Sequence, residues 1–245
     1  MRNLKIFVYF VILLLVFVLS GCALLLSQIL TGTNQRQYTA YVYFNGLPKE
    51  VVDKTGKMLL KDIVITDISS SINFWVGDSS FNLQENDITY IVNGLNRGLP
   101  FTFVASESDK IDIEASMSIR YATDTTFVPY VASVSIGKRE YSIPVSKSFY
   151  VLIYATDNEN KNISVLDYSK AYKFTIKTQD EEFVEIRDVE KTVYLFTKKT
   201  SEGNQCVFIG ERGKTYTFYS PSKNALVTRT APNNDAATGE IIDLK

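Results

Sequence analysis

The chain has 245 residues, a formal net charge of −1 and no histidine. That balance implies neither a nucleic-acid surface nor a strongly charged partner, and without imidazole there is no Ser-His-Asp or Cys-His catalysis and no His-ligated zinc or haem. Two cysteines are too few for a disulfide framework, an iron–sulfur cluster or a thiolate zinc site, so no cofactor is expected.

Met1 to Lys5 carries Arg2 and Lys5, and Ile6 to Val18 is an uncharged apolar run. These are the charged and apolar regions of an export signal. The run ends in Leu19-Ser20-Gly21-Cys22, where two small residues precede a thiol. This stretch resembles the lipobox of bacterial lipoproteins. The resemblance implies that residues 1–21 are a signal peptide, cut before Cys22, and that Cys22 carries the lipid. Mostly apolar residues, interrupted by Ser27 and Gln28, continue from Ala23 to Leu30, which keeps open an uncleaved transmembrane helix over residues 6–30, since about 20 apolar residues span a bilayer. Either way Arg2 and Lys5 hold the N-terminus in the cytoplasm. The rest is then exported, anchored to the bacterial cell membrane and facing the periplasm or the exterior.

Residues 22–37 end in polar Thr31 to Gln37 and read as a tether. Tyr38 to Phe44 alternates, with Tyr38, Ala40, Val42 and Phe44 on one face and Thr39, Tyr41 and Tyr43 on the other, as a strand does. Asn45-Gly46-Leu47-Pro48 breaks it. After a turn at Lys54 to Lys57, Leu59 to Ile68 and Ile72 to Val76 read as strands. Trp75, the only tryptophan, is expected in the core, with an exposed stacking role as the alternative.

Ile88 to Ser106 reads as strand, Gly94 to Gly98 turn, and alternating strand through Phe101, Phe103 and Ala105. It resembles the E-to-F corner of fibronectin type III domains, with Phe101 where that family has an anchoring tyrosine. Lys110 to Tyr121 alternates, with Ile111, Ile113, Ala115, Met117, Ile119 and Tyr121 sharing a face. Val128 to Ile136 continues as strand, Gly137-Lys138-Arg139 is expected to turn, and Tyr141 to Val145 to return. Phe149 to Thr156, the loop Asp157 to Asn162 and Tyr172 to Ile176 resemble the closing strands of bacterial immunoglobulin-like domains. Beyond a charged boundary at Gln179 to Glu182, five or six short strands follow.

The expected fold is therefore all-β, with immunoglobulin-like or fibronectin-like antiparallel β-sandwiches behind the N-terminal segment. The segments are 38–107 as one sandwich, 108–178 as an immunoglobulin-like domain, and 182–245 as a small domain or added strands. Asp157, Glu159, Asn160 and Asn162 are oxygen donors for a weak calcium candidate, although the spacing fails the EF-hand pattern and a polar turn explains them as well. Cys206 sits in an apolar strand without an activating base, as inert buried thiols do. No catalytic residue stands out. Tyr41, Tyr43, Tyr121 and Trp75 are the candidate binding residues. The function expected is a non-catalytic envelope protein that binds another protein or acts as a spacer. A polysaccharide-binding module is the alternative, and a carboxylate-based hydrolase ranks behind both.

Overall fold

The computed structural model describes residues 35–48, 51, 63–85, 98–123, 130–155, 162–234 and 238–245. The signal, Cys22, the turn at Lys54, the Gly94 part of the corner, and Asp157, Glu159 and Asn160 lie outside them. Among the described residues no helix is long and apolar enough to cross a membrane.

The protein is all-β. Its first seven long strands are β1 (Gln35–Phe44), β2 (Ile63–Val76), β3 (Ser79–Glu85), β4 (Leu99–Ser106), β5 (Lys110–Thr123), β6 (Tyr130–Ser142) and β7 (Ser148–Ile153). With β8 (Ile163–Asp167) they form two four-stranded sheets, ordered β4-β1-β7-β8 and β3-β2-β5-β6. The alternating apolar positions read from the sequence are the ones that turn inward. Tyr38, Ala40, Val42 and Phe44 of β1 face Phe74, Ile111, Ile113 and Ile119 across one core. Phe101 stacks on Phe74 at 5.0 Å and on Phe103 at 5.2 Å, and meets the edge of Phe81 at 4.8 Å. Each such pair adds about 0.5–1.5 kcal/mol to simple burial. This is an antiparallel β-sandwich, with one parallel pairing, β1 on β7.

The expected boundary at residue 107 falls inside this sandwich, because β1 pairs with β4 and β7 while β2 pairs with β5. Two local expectations also change. Gln35 to Gln37 belong to β1 rather than to a tether, paired with Val104 to Ser106. Gly137-Lys138-Arg139 does not turn the chain: β6 runs on, and the register shift opposite Ile113 and Ala115 makes it a bulge. Pro144 lies beyond the end of β6, where its missing N–H disturbs no ladder.

The remaining strands are β9 (Ala171–Thr178), β10 (Phe183–Arg187), β11 (Thr192–Phe196), β12 (Lys198–Thr200), β13 (Gly203–Glu211), β14 (Thr215–Ser220), β15 (Ala225–Thr230) and β16 (Gly239–Asp243). They make two further sheets, β12-β13-β9-β16 and β11-β10-β14-β15, around a second core of Phe174, Ile176, Leu195, Phe208 and Phe218. Strand β9, which the sequence grouped with residues 108–178, therefore lies at the centre of the second unit.

The two units are bound together where β1 ends. Asn45 is buried, and its side-chain amide acts as one more strand residue: Nδ2 donates to the Ile209 carbonyl at 2.8 Å and Oδ1 accepts from the Ile209 N–H at 3.2 Å. Nδ2 also reaches the Tyr154 hydroxyl at 3.3 Å, and the Leu47 N–H donates to the Tyr194 carbonyl at 2.9 Å. Strand β1 thus turns one face to the first core while Tyr43, on its other face, enters the second.

Candidate functional site

The outer face of the β4-β1-β7-β8 sheet is only partly covered by the second unit. Because Tyr41 is opposite both Pro100 and Tyr150 in register, successive odd positions of β1 share this face with even positions of β4 and β7. Toward the second unit lie Tyr43 and Leu152, both buried. Away from it the face opens through Tyr41 and Tyr150 to Thr39, Thr102 and Val104, the last 59% exposed. Pro100 is tolerated because β4 is an edge strand.

Tyr168 completes the patch from a single 3-10 turn, Tyr168–Lys170, after β8. Asp167 caps that turn, its Oδ1 accepting from the Ser169 N–H at 3.2 Å and from the Ser169 hydroxyl at 3.0 Å. The turn swings Tyr168 back over the sheet, 51% exposed and stacked on Tyr150 at 5.1 Å with an interplanar angle of 15°. Tyr41 lies 5.9 Å from Tyr150 and 6.1 Å from Tyr168, and Tyr43 lies 5.5 Å from Tyr150. Gly98, at φ +76°, leaves the room that the Tyr43 ring fills. Burial, and after it the neighbouring Tyr168 and Tyr41, push the Tyr43 hydroxyl up to about 12. Burial and a hydrogen bond with Tyr168 raise Tyr150 further. Both stay neutral across the physiological range.

No Asp, Glu, Lys or Arg stands on this face of β1, β4, β7 or β8, in a chain that is 22% charged. Its polar groups are hydroxyls and amides: Gln37, Thr39, Thr102, Ser148 and Ser164. Lys147, Asp167 and Lys170 stand only at its margins.

The structure therefore brings Tyr41 and Tyr43 together, and adds Tyr150 and Tyr168. The register of β1 on β7 supplies Tyr150, a pairing that no local pattern announces. Tyr121 does not join them. It is on the inner face of β5, 1% exposed and stacked on Tyr130 at 5.6 Å, so it has no ring to offer a ligand. Trp75 lies on the outer face of the other sheet, half-buried rather than in the core, because Phe74 and Val76 take the inward positions. Lys138 Nζ sits 4.6 Å from its ring centroid and 2.9 Å from Asp112 Oδ2. Further along that face two cross-strand serine rows, Ser69-Ser118-Ser133 and Ser71-Ser116-Ser135, line a groove of about 370 Å³ that no carboxylate enters.

Cys206 is fully buried, and burial pushes its thiol well above the usual range. Asn162 is buried beside β8, its carbonyl accepting from the Tyr154 N–H at 2.7 Å. Among the described residues no three His, Cys, Asp or Glu side chains group as metal ligands would.

No family model matches the chain, and neither does any curated protein. Among solved structures it is similar to the C-terminal fragment of the pilus adhesin SpaC from Lactobacillus rhamnosus GG. That match has 10% identity over 83% of this chain and 88% of the fragment, with a TM-score of 0.23. A structure of the pilus adhesin SpaC from the same organism matches at 8% identity over 82% of this chain and 39% of that one, again with a TM-score of 0.23. A TM-score of that size defines no shared fold, and function has to be argued from the site.

Proposed function

We propose that the chain is a non-catalytic binding protein of the bacterial cell envelope. It is held at the membrane through its N-terminal segment, by lipid on Cys22 or by a retained helix, and presents its β-sandwich units outside. The observation that carries the reading is the uncharged tyrosine face: four rings clustered around Tyr150 on one sheet, partly open to solvent. Aromatic side chains of this kind bring large contact area with few rotors to freeze, as binding surfaces require. The groups that acid–base or covalent chemistry needs do not converge there.

The test is a crosslinked pull-down from intact envelopes with tagged full-length protein, reading captured protein and captured glycan together. Wild type should capture a saturable partner, and Tyr41→Ser combined with Tyr168→Ser should reduce capture at least tenfold. Equal capture by the two proteins would remove the tyrosine face from the reading and leave the spacer role. The anchor is tested separately by metabolic labelling with a fatty-acid analogue. Label lost in Cys22→Ser supports lipidation, whereas an unlabelled chain that keeps residues 1–21 supports the helix.

A further inference from the structure

We propose that the tyrosine face binds a neutral polysaccharide. The inference rests on the binding reading above and names its partner class. A pyranose ring has apolar C–H faces and a rim of hydroxyls, and tyrosine divides in the same way into an apolar ring and a polar tip. On this face Tyr168, 51% exposed, stacks over Tyr150 at 5.1 Å, and Tyr41 lies tilted beside both at 5.9 and 6.1 Å, so Tyr168 and Tyr41 are the rings that meet a ligand. Gln37, Thr39 and Thr102 lie on the same open face beside them, as donors and acceptors for sugar hydroxyls.

Charge decides between partner classes. Protein interfaces enrich arginine alongside aromatic residues, and an acidic glycan calls for lysine or arginine to meet it. Among the described residues the open face has neither, Lys147 and Lys170 standing only at its margins. Burying a charged partner group there would leave it without a counter-ion, at a cost a neutral chain does not incur. Preorganisation favours the same ligand. Tyr150 is fixed between Tyr43 and Tyr168, and hydrogen-bonded to the latter, so sugar stacking freezes few rotors.

The experiment is affinity electrophoresis of the full-length protein in mild detergent through gels containing dextran, amylose or hydroxyethylcellulose, with alginate as the acidic comparison. Expected is retardation by at least one neutral glucan that persists at 1 M salt, where contacts between exposed charges are screened. Tyr168→Ser should weaken retention about tenfold, and so should Thr102→Lys, which charges an exposed position without removing packing. Trp75→Ala should retain it. The proposal is overturned by no retardation in any neutral gel, by retardation in alginate alone that salt abolishes, or by retention unchanged in both face variants. A protein captured from envelopes through Tyr41 and Tyr168, with no glucan retention, would sink the glycan while the binding reading stands. Tyrosine variants that alter neither capture nor retention would remove both.

Discussion

Replacing Asn45 by alanine tests whether one amide joins the two cores. Asn45 is 1% exposed, and its three hydrogen bonds, at 2.8, 3.2 and 3.3 Å, end on both backbone groups of Ile209 and on the Tyr154 hydroxyl. Ile209 is itself buried in β13, so its N–H and C=O would be left without a partner in a dry place. Each orphaned group costs about 1–3 kcal/mol, so the two Ile209 groups put Asn45→Ala at about 2–6 kcal/mol. Since a folded domain is stable by only about 5–15 kcal/mol, this variant should be marginal. Asn45→Asp keeps the volume but offers no donor to the Ile209 carbonyl, and should cost at least as much at neutral pH. The assay is urea denaturation of the protein followed by near-ultraviolet circular dichroism, with Asn204→Ala as a control. Asn204 makes a single exposed bond to the Gln179 carbonyl, worth about 1 kcal/mol or less. A loss below about 1 kcal/mol for Asn45→Ala would refute the reasoning, because water or a shifted backbone would then satisfy Ile209 as well.

Gly98→Ala should cost about 2–3 kcal/mol in the same assay, since φ is +76° and the new Cβ would lie 2.6 Å from the Tyr43 ring and 2.9 Å from the Val42 carbonyl; an unchanged urea midpoint would contradict this. Alkali should also destabilise the fold. Tyr43 is neutral in both folded and unfolded chains below pH 10, but between 10 and about 12 only the unfolded chain releases its proton, so stability falls as pH rises through that window. Tyr43→Phe should flatten part of the decline in urea midpoints measured from pH 8 to 12, and an identical slope in the variant would assign the decline to other tyrosines. Cys206 should resist a thiol reagent in the folded protein and label at once in denaturant, given its burial and raised thiol; rapid labelling of the native chain would mean that the second core opens.

Strand faces were legible wherever alternation ran long enough. Tyr38 to Phe44 and Lys110 to Tyr121 turn inward the residues that their patterns put on one face. That same pattern already set Tyr121 beside Ile119 and Met117, so its place among exposed candidates ran against its own strand. Trp75 shows the complementary case: the burial preference of tryptophan pointed to the core, whereas alternation with Phe74 and Val76 put it outside. What could not be read locally is pairing over long distances. Ser148 joins Thr39 across more than a hundred residues, and Asn45 reaches Ile209 across 164. Nothing in Asn45-Gly46-Leu47-Pro48 beyond a strand break betrays this. The bulge in β6 was hidden for a related reason, since Gly137 serves a bulge as well as a turn and only the partner strand distinguishes them.

The position of β1 bears on how the molecule would withstand tension. It is the first described strand, it carries Tyr41 and Tyr43, and it is hydrogen-bonded along its length, through eight residue pairs with β4 and six with β7. A pull applied at residue 35 and resisted at the tyrosine face would run along a single strand, in shear against both neighbours, so the ladders would have to fail together rather than peel one bond at a time. Resistance of that kind is set by the rate of unfolding rather than by equilibrium stability. Asn45 and Tyr43, at the far end of the same strand, would carry part of that load into the second unit.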